Sequence, residues 1–419
     1  MKQQQLKKTV LASLLTLTSG LVLSAPYDVV DLGGLGGNYS VAFGINEQGV
    51  AVGTANGPLD ENDEREFNAH AVLFNESFTS DLGVLEGGSL SEATDINSSM
   101  IAVGYANVIT ETELENGGTA TTIQNFATVF DNGTAQKLPS NENLVQTKAY
   151  ALNDNNLIVG TGYFLPEGSQ ESYERGFIYD YNNSIYTLVE PLTNEQERQS
   201  YLVDINESGL ALGYSDALLD SVTFTIKSFV FNTSNSEISE LPTFEDSYTF
   251  AQGINVHNEI VGSVQFSLTS PRQEAFYYDL NSGSDALTFL GFFQPDFNDS
   301  RARDINDNGQ IVGRALASSP TLNEYAAFIY ENDEMKNLNE LIPCDSGWKL
   351  TEATSINNSG QIVGFGVKDG EIRAFRLDPT SGEAEVCETE EDNKSGGGSI
   401  PLITLMLLAF VGFKRKLKL

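Results

Sequence analysis

Apolar residues fall along this chain in short runs, broken by Asn, Gly, Asp and Ser, which is the rhythm of strands joined by tight turns. One pattern recurs seven times: a small residue, two intervening positions, an apolar residue, Asn, then two apolar residues and Gly. The asparagines are Asn46, Asn97, Asn153, Asn206, Asn255, Asn306 and Asn357, spaced by 51, 56, 53, 49, 51 and 51 residues. Ile or Leu precedes every one, and glycine stands seven positions after it, from Gly53 and Gly104 to Gly364.

Each unit reads as four strands. The first ends at the Asn, as in Ala302–Asn306, and the Asn opens a turn that often carries Gly at its fourth position (Gly49, Gly209, Gly309, Gly360). Asn bonds its own turn and Gly accepts positive φ, so Asn-x-x-Gly makes a hairpin connection. Gln310–Gly313 and its equivalents form a second strand. A third carries an aromatic, as in His70–Phe74, Arg175–Tyr179, Glu274–Tyr278, Ala326–Tyr330 and Arg373–Leu377. A fourth carries leucines, as in Ser80–Leu85 and Lys336–Leu341.

Four strands in about 50 residues is the size of a propeller blade; solenoid coils are shorter, and a sandwich needs no seven equal units. Ala stands four positions before the Asn in six units (Ala42, Ala93, Ala149, Ala251, Ala302, Ala353), with Leu202 the exception. Crowding at a propeller axis would explain a small residue there, with the aromatics filling the wider space between blades. The seventh unit lacks a leucine strand after Pro379, while Tyr27–Leu35 has that pattern ahead of the first unit. The expectation is an all-β, seven-bladed β-propeller with four-stranded blades, its last blade closed by the N-terminal strand so that no edge stays open. It would span residues 26–388 as one domain, followed by an acidic, Gly/Ser-containing linker at 389–399 and an apolar, basic-ended segment at 400–419.

Charge sharpens this picture at both ends. Seven of the 23 bases lie there (Lys2, Lys7, Lys8, Lys414, Arg415, Lys416, Lys418), leaving 16 against 58 acids, a net of −42. Such a body repels phosphate backbones, which argues against nucleic acid as a partner. Lys7 and Lys8, the apolar stretch Val10–Leu23 and the small residues Ser24 and Ala25 read as a secretory signal over 1–25. Cleavage falls after Ser24 or after Ala25; a retained anchor is the alternative. Cys344 and Cys387, an even count in an exported chain, favour one disulfide, which would bracket the seventh blade. Ile400–Phe413 is a short apolar span, and the bases after it would hold that end in the cytoplasm with the acidic body outside.

The recurring Ala-x-x-Ile-Asn-x-x-Gly-x-Ile-Val-Gly, with the His-Ala-Phe-like strand approximated at His70–Val72, resembles the HAF extracellular repeat. Met100 and Asn156 depart from it at the turn glycine. The order Gly-rich patch (Ser395–Ser399), apolar helix and basic cluster resembles the GlyGly-CTERM sorting tail of Gram-negative bacteria. Together these features resemble domain-of-unknown-function family 3466 of exported bacterial proteins. The resemblance implies the export machinery and a rhombosortase-like protease as partners. Cutting would fall near Gly396, Gly397 and Gly398 after transient inner-membrane contact, with release or attachment at the cell surface. It brings no established activity.

Candidate chemistry is sparse. His70 and His257 are isolated, and no HExxH, GxSxG or phosphate-binding loop is present, so zinc and nucleophilic triads are disfavoured. Gly33–Gly37 precedes a strand and reads as turn chemistry. Asp304-x-Asn306-x-Asn308-Gly309 matches the opening of a calcium loop, as does Asp204-x-Asn206. Ala315 stands where a bidentate Glu is needed, and four repeats lack the leading Asp, so turn formation explains the motif without an ion. No cofactor is required, calcium being the alternative. The function expected is a non-enzymatic exported binding module with an extracellular ligand. A polysaccharide-active hydrolase or lyase and a calcium-dependent lectin-like protein are the rivals.

Overall fold

Each repeat Asn starts the turn that the sequence implies, and its side chain builds it. In all seven units the Asn Oδ1 accepts the backbone N–H groups two and four residues on, as Asn306 does from Asn308 and Gln310 at 3.1 and 3.0 Å. The fourth turn residue has positive φ throughout. Gly49, Gly209, Gly309 and Gly360 adopt it freely, while Met100, Asn156 and Asn258 adopt it at φ 65°, 61° and 64°. The computed structural model describes residues 25–383, apart from short stretches at 62–64, 76–77, 115–117, 194, 219–223, 245–246, 268, 270–271 and 319–323.

The turns join strands into seven antiparallel four-stranded sheets, each in simple meander order except the last. The innermost strands of blades 1 to 7 are Ser40–Ile45, Ser91–Ile96, Leu144–Leu152, Ser200–Ile205, Tyr248–Ile254, Ser300–Ile305 and Trp348–Ile356. Every one carries a β-bulge just past the repeat Ala or Leu202, where the register slips by one residue. The bulge re-aims the residue three before the Asn. It also brings the strand close to its neighbour: a Cβ on Gly53 would lie 1.9 Å from the Val41 carbonyl oxygen, and one on Gly313 2.1 Å from that of Arg301. The invariant glycine is thus required by close backbone approach. The same gap receives an aromatic ring, since Phe276 and Phe328 of the third strands lie within 2.9 Å of the Cβ positions of Gly262 and Gly313.

Closure is as expected. The strand Tyr27–Gly33 pairs antiparallel with Glu371–Pro379, Tyr27 opposite Pro379 and Gly33 opposite Ala374, and completes blade 7. Lys368 pairs with Asp31 at 3.2 Å, and the Thr380 amide donates to the Pro26 carbonyl.

Two expectations are corrected. The alanines do not relieve crowding on the axis. They are fully buried between blades, each against the second and third strands of the preceding one: Ala302 meets Val261 and Ala275, and Ala353 meets Val312 and Ala327. Leu202 fits because blade 3 has Gly176 where other blades carry Ala or Ser; a Cβ there would stand 3.0 Å from Leu202 Cγ. The fourth strands also begin earlier than read, and that of blade 6 is shorter. Blade 6 has Glu334–Asn337 followed by a 3-10 turn at Leu338–Glu340, and blade 1 has Phe78–Gly83, so Leu85 lies beyond its strand.

The segments 1–24 and 384–419 fall outside the described residues, and with them Ser24, Cys387, Gly396, Gly397, Gly398 and the apolar tail. No described helix is long and apolar enough to cross a membrane. Ala25 is buried, and its carbonyl accepts the Thr380 hydroxyl. Cys344 carries no free thiol; its pairing with Cys387 stays an expectation.

Candidate functional site

All seven innermost strands run the same way, so the repeat asparagines gather at one mouth of the channel. There each Asn Nδ2 donates to the backbone carbonyl of the next blade's Asn: Asn46 to Asn97, and on round to Asn357 to Asn46, at 3.0–3.3 Å. Seven buried amides therefore close a ring of inter-blade hydrogen bonds. The following residues add a collar. Asp154, Glu207, Asp307, Asn358 and Glu47 each accept the backbone N–H of the equivalent residue one blade earlier, at 2.8–3.2 Å.

Just inside lie Asp95, Asp204 and Asp304, two before the Asn in blades 2, 4 and 6. Each takes its own chain's next N–H on Oδ1 and reaches with Oδ2 to the N–H of Leu152, Ile254 or Ile356 in the following blade. Blades 1, 3, 5 and 7 have Gly44, Ala151, Gly253 and Ser355 at this level. In blades 1 and 5 the next blade leaves no room for a side chain: a Cβ on Gly44 would lie 2.9 Å from Asp95 Cα, and one on Gly253 3.1 Å from Asp304 Cα. Surrounding protein raises the Asp95 carboxyl to about 7, against the pull of its two amide partners. Asp204 and Asp304 are raised as well, first by desolvation; the charge of Asp304 adds to the effect at Asp204.

The residues of the calcium-loop motif thus all stand at this mouth, but with their polar atoms directed at the backbone. Asn206 and Asn306 serve their turns and the ring, Asp204 and Asp304 strap blades, and Asn308 donates to the Asn358 carbonyl at 2.9 Å. Among the described residues no group of three or more His, Cys, Asp or Glu could hold a metal ion. His70 bonds Asp81 at 2.8 Å and stacks on Phe67, while His257 lies exposed in another blade.

The other mouth is different in kind. At the opposite ends of the innermost strands, the bulged residue and the residue two before it form a half-buried rosette. On blades 6 and 7 it is charged and tied by ion pairs: Glu352 receives both Arg303 at 2.6 Å and Arg314 at 2.9 Å. On blades 2 to 5 it is aromatic and polar. Tyr201 stacks on Tyr214 at 4.8 Å, and Tyr214 meets Phe250 edge-on. The Tyr201 hydroxyl sits between Glu174 and Gln199. Lys148 lies over the Tyr105 ring at 4.1 Å, with Tyr150 beside it on the same strand. Burial raises the Glu92 carboxyl, Lys148 opposing it, and burial pushes the Tyr150 phenol up to about 12.

A cavity of about 340 Å³ opens here, between the long hairpin Ala102–Glu113/Thr119–Asp131 of blade 2 and blade 3. The repeat pattern does not mark these residues, because their positions vary freely from repeat to repeat. A further regular signal, outside the motif, is a Ser or Thr six positions before every Asn. Ser91, Ser200, Ser300 and Ser40 use it to clasp the preceding blade, each accepting a third-strand amide and donating to a carbonyl at that blade's outer edge.

Solved structures with the same fold are distant. The chain is similar to the β-propeller domain of the Trilobed protease from Pyrococcus furiosus, at 10% identity and TM-score 0.48, covering 81% of this chain and 96% of that one. It is similar to an acylaminoacyl peptidase from Pyrococcus horikoshii at 11% identity and TM-score 0.50, covering 85% and 53%. A polysaccharide lyase of family PL25, an ulvan lyase, matches at 12% identity and TM-score 0.44 over 90% and 99%. No curated protein sequence matches the chain. A family profile described as "Protein of unknown function (DUF3466)" matches residues 86–244 and 243–378. These two segments run through blades 2 to 7 and cover more than half of the sequence, and the chain belongs to this family.

Proposed function

We propose that this protein is an exported or cell-surface binding module, non-enzymatic, whose ligand-facing end is the aromatic mouth of the propeller. The observation that carries this reading is the contrast between the two mouths. At the Asn end nearly every polar side chain is committed to a neighbouring blade. At the other, Tyr105, Lys148, Tyr150, Glu174, Tyr201 and Tyr214 stand half-exposed, and Lys148, Tyr150 and Glu174 line a polar cavity, which is the convergence expected of a binding site. Export rests on the basic-apolar-small start of the chain and on the strong negative charge of its body. We infer that the repeats are HAF repeats and that the GlyGly-CTERM-like tail is cut by a rhombosortase-like protease, leaving the propeller secreted or held at the outer surface of a Gram-negative cell.

Thermal-shift screening of the whole protein against polysaccharides, peptides and divalent cations tests the binding role. A ligand-induced rise in Tm should vanish in a Tyr150→Ala/Tyr214→Ala variant. A rise that survives this variant with every ligand class would refute the assignment of the mouth. One observation favours a second reading, a polysaccharide-active enzyme: Glu92 is a half-buried carboxyl with raised pKa among tyrosines and a lysine, the setting of a general acid. New reducing ends or unsaturated products in the same incubations would establish that reading in place of the first.

A further inference from the structure

We infer that the cavity between the blade 2 hairpin and blade 3 is a subsite for a neutral oligosaccharide; this rests on the binding role proposed above. Most small-molecule pockets are lined chiefly by apolar groups. This one is lined by Asn125, Gln146, Thr147, Thr161 and Ser172, a set of amides and hydroxyls that can both donate and accept. A ligand that matches such a wall must itself carry many hydroxyls.

Two aromatic faces complete the lining. Tyr150 is half-buried, and Tyr163 is 40% exposed at the end of its strand, a flat and amphipathic surface available to the apolar face of a sugar ring. Thr161 supplies a separate indication. Its side chain is 95% buried, yet its hydroxyl has no hydrogen-bond partner. An unsatisfied buried hydroxyl costs about 1–3 kcal/mol, a cost relieved if the Thr161 side chain turns its hydroxyl toward a hydroxyl-bearing ligand or water in the cavity it lines.

Charge decides between classes of sugar. The lining holds one ammonium, Lys148, and one carboxylate, Glu174, which balance locally. Glu92 stands close to Lys148 and lowers what attraction Lys148 has for an anion. With the body of the protein at −42, a polyuronate or sulfated chain meets long-range repulsion that a neutral chain does not. The volume, about 340 Å³, suits one or two sugar units, with the rest of the chain passing over the open mouth.

Isothermal titration of the whole protein with hexasaccharides of β-1,4-glucan, β-1,3-glucan, β-1,4-mannan and α-1,4-glucan, alongside an oligogalacturonate, tests this. The expected result is saturable binding of at least one neutral chain, weakened about tenfold or more by Tyr163→Ala and by Gln146→Ala. Tyr163→Phe, which keeps the ring, should stay within about threefold of the wild type. Tighter binding of the oligogalacturonate would overturn the inference, as would the absence of binding by every neutral chain. Binding that falls in the Tyr150→Ala/Tyr214→Ala variant but not in Tyr163→Ala or Gln146→Ala would also overturn it, while leaving the mouth as the binding end.

Discussion

Replacing one ring asparagine should cost far more than a turn cap is worth. In Asn306→Ala the Oδ1 contacts to the Asn308 and Gln310 amides go, together with the Nδ2 donations to the Asn357 carbonyl and the Gln310 side chain. A net hydrogen bond contributes about 0.5–1.5 kcal/mol, and a buried backbone group left unpaired costs about 1–3 kcal/mol. Because Asn306 is 4% exposed, water cannot fully replace the lost partners. Three backbone bonds at about 1 kcal/mol each give roughly 3 kcal/mol, three times the ~1 kcal/mol of an ordinary side-chain cap. With an unfolding entropy near 2.1 cal/mol/K per residue over roughly 360 residues, Tm should fall by about 4 °C. Asn306→Asp separates the two functions of the side chain, since it keeps the turn acceptors and loses the Nδ2 donations, across the blades to the Asn357 carbonyl and within the blade to the Gln310 side chain. Urea unfolding followed by circular dichroism reads both variants. A loss of 1 kcal/mol or less in Asn306→Ala, or an Asn306→Asp variant as stable as the wild type, would refute the ring as an inter-blade device.

Deleting Tyr27–Gly33 should expose the edge of Glu371–Pro379 and lower Tm, with faster limited proteolysis in blade 7; an unchanged melt would refute closure as a source of stability. The raised carboxyls make a pH prediction whose sign is fixed. The native state binds more protons than the unfolded chain between the unfolded Asp value of about 3.9 and the folded value, about 7 for Asp95, so this contribution to stability falls as pH rises through that window. Carboxyl carbon shifts of Asp-labelled protein should show an aspartate titrating near 7, and a titration of every aspartate below pH 5 would disprove it. Gly176→Ala and Leu202→Ala should each destabilise, the latter by about 2–5 kcal/mol, whereas the double variant should recover part of the loss, a coupling readable in a double-mutant cycle. Because the motif asparagines are spent on backbone, Tm should be the same in calcium and in chelator; a calcium-dependent rise lost in Asp304→Ala would restore the ion-binding reading.

The sequence was a good guide to what each repeat does within itself and a poor one to what it does to its neighbour. Asn-x-x-Gly announces a turn because Oδ1 serves residues two and four positions on, a local matter that spacing alone reveals. The destination of Nδ2 depends on how blades are stacked, which no single repeat contains. The alanines were legible as a constraint but attributed to the wrong crowding: the pressure comes from the preceding blade, as the exchange of bulk between Leu202 and Gly176 makes plain. The Ser or Thr six before each Asn is fully regular, yet such residues are common enough in turns to pass as background. The aromatic mouth was beyond reach for the opposite reason. Glu92, Lys148, Tyr201, Phe250, Arg301 and Glu352 occupy one position of the repeat, yet share no chemistry that a pattern could register.

The aspartate straps have a consequence of parity. A strap joins blade 2 to 3, 4 to 5 and 6 to 7, so it pairs blades off two by two. Seven cannot be divided that way. Blade 1, with Gly44 at this level, is the bachelor of the ring, strapped to neither neighbour. It is also the blade reached through the N-terminal strand, whose hold on blade 7 keeps the circle shut. Loosening of that strand should therefore pass first into blade 1, and amide hydrogen exchange should find Ser40–Ile45 the least protected of the seven innermost strands.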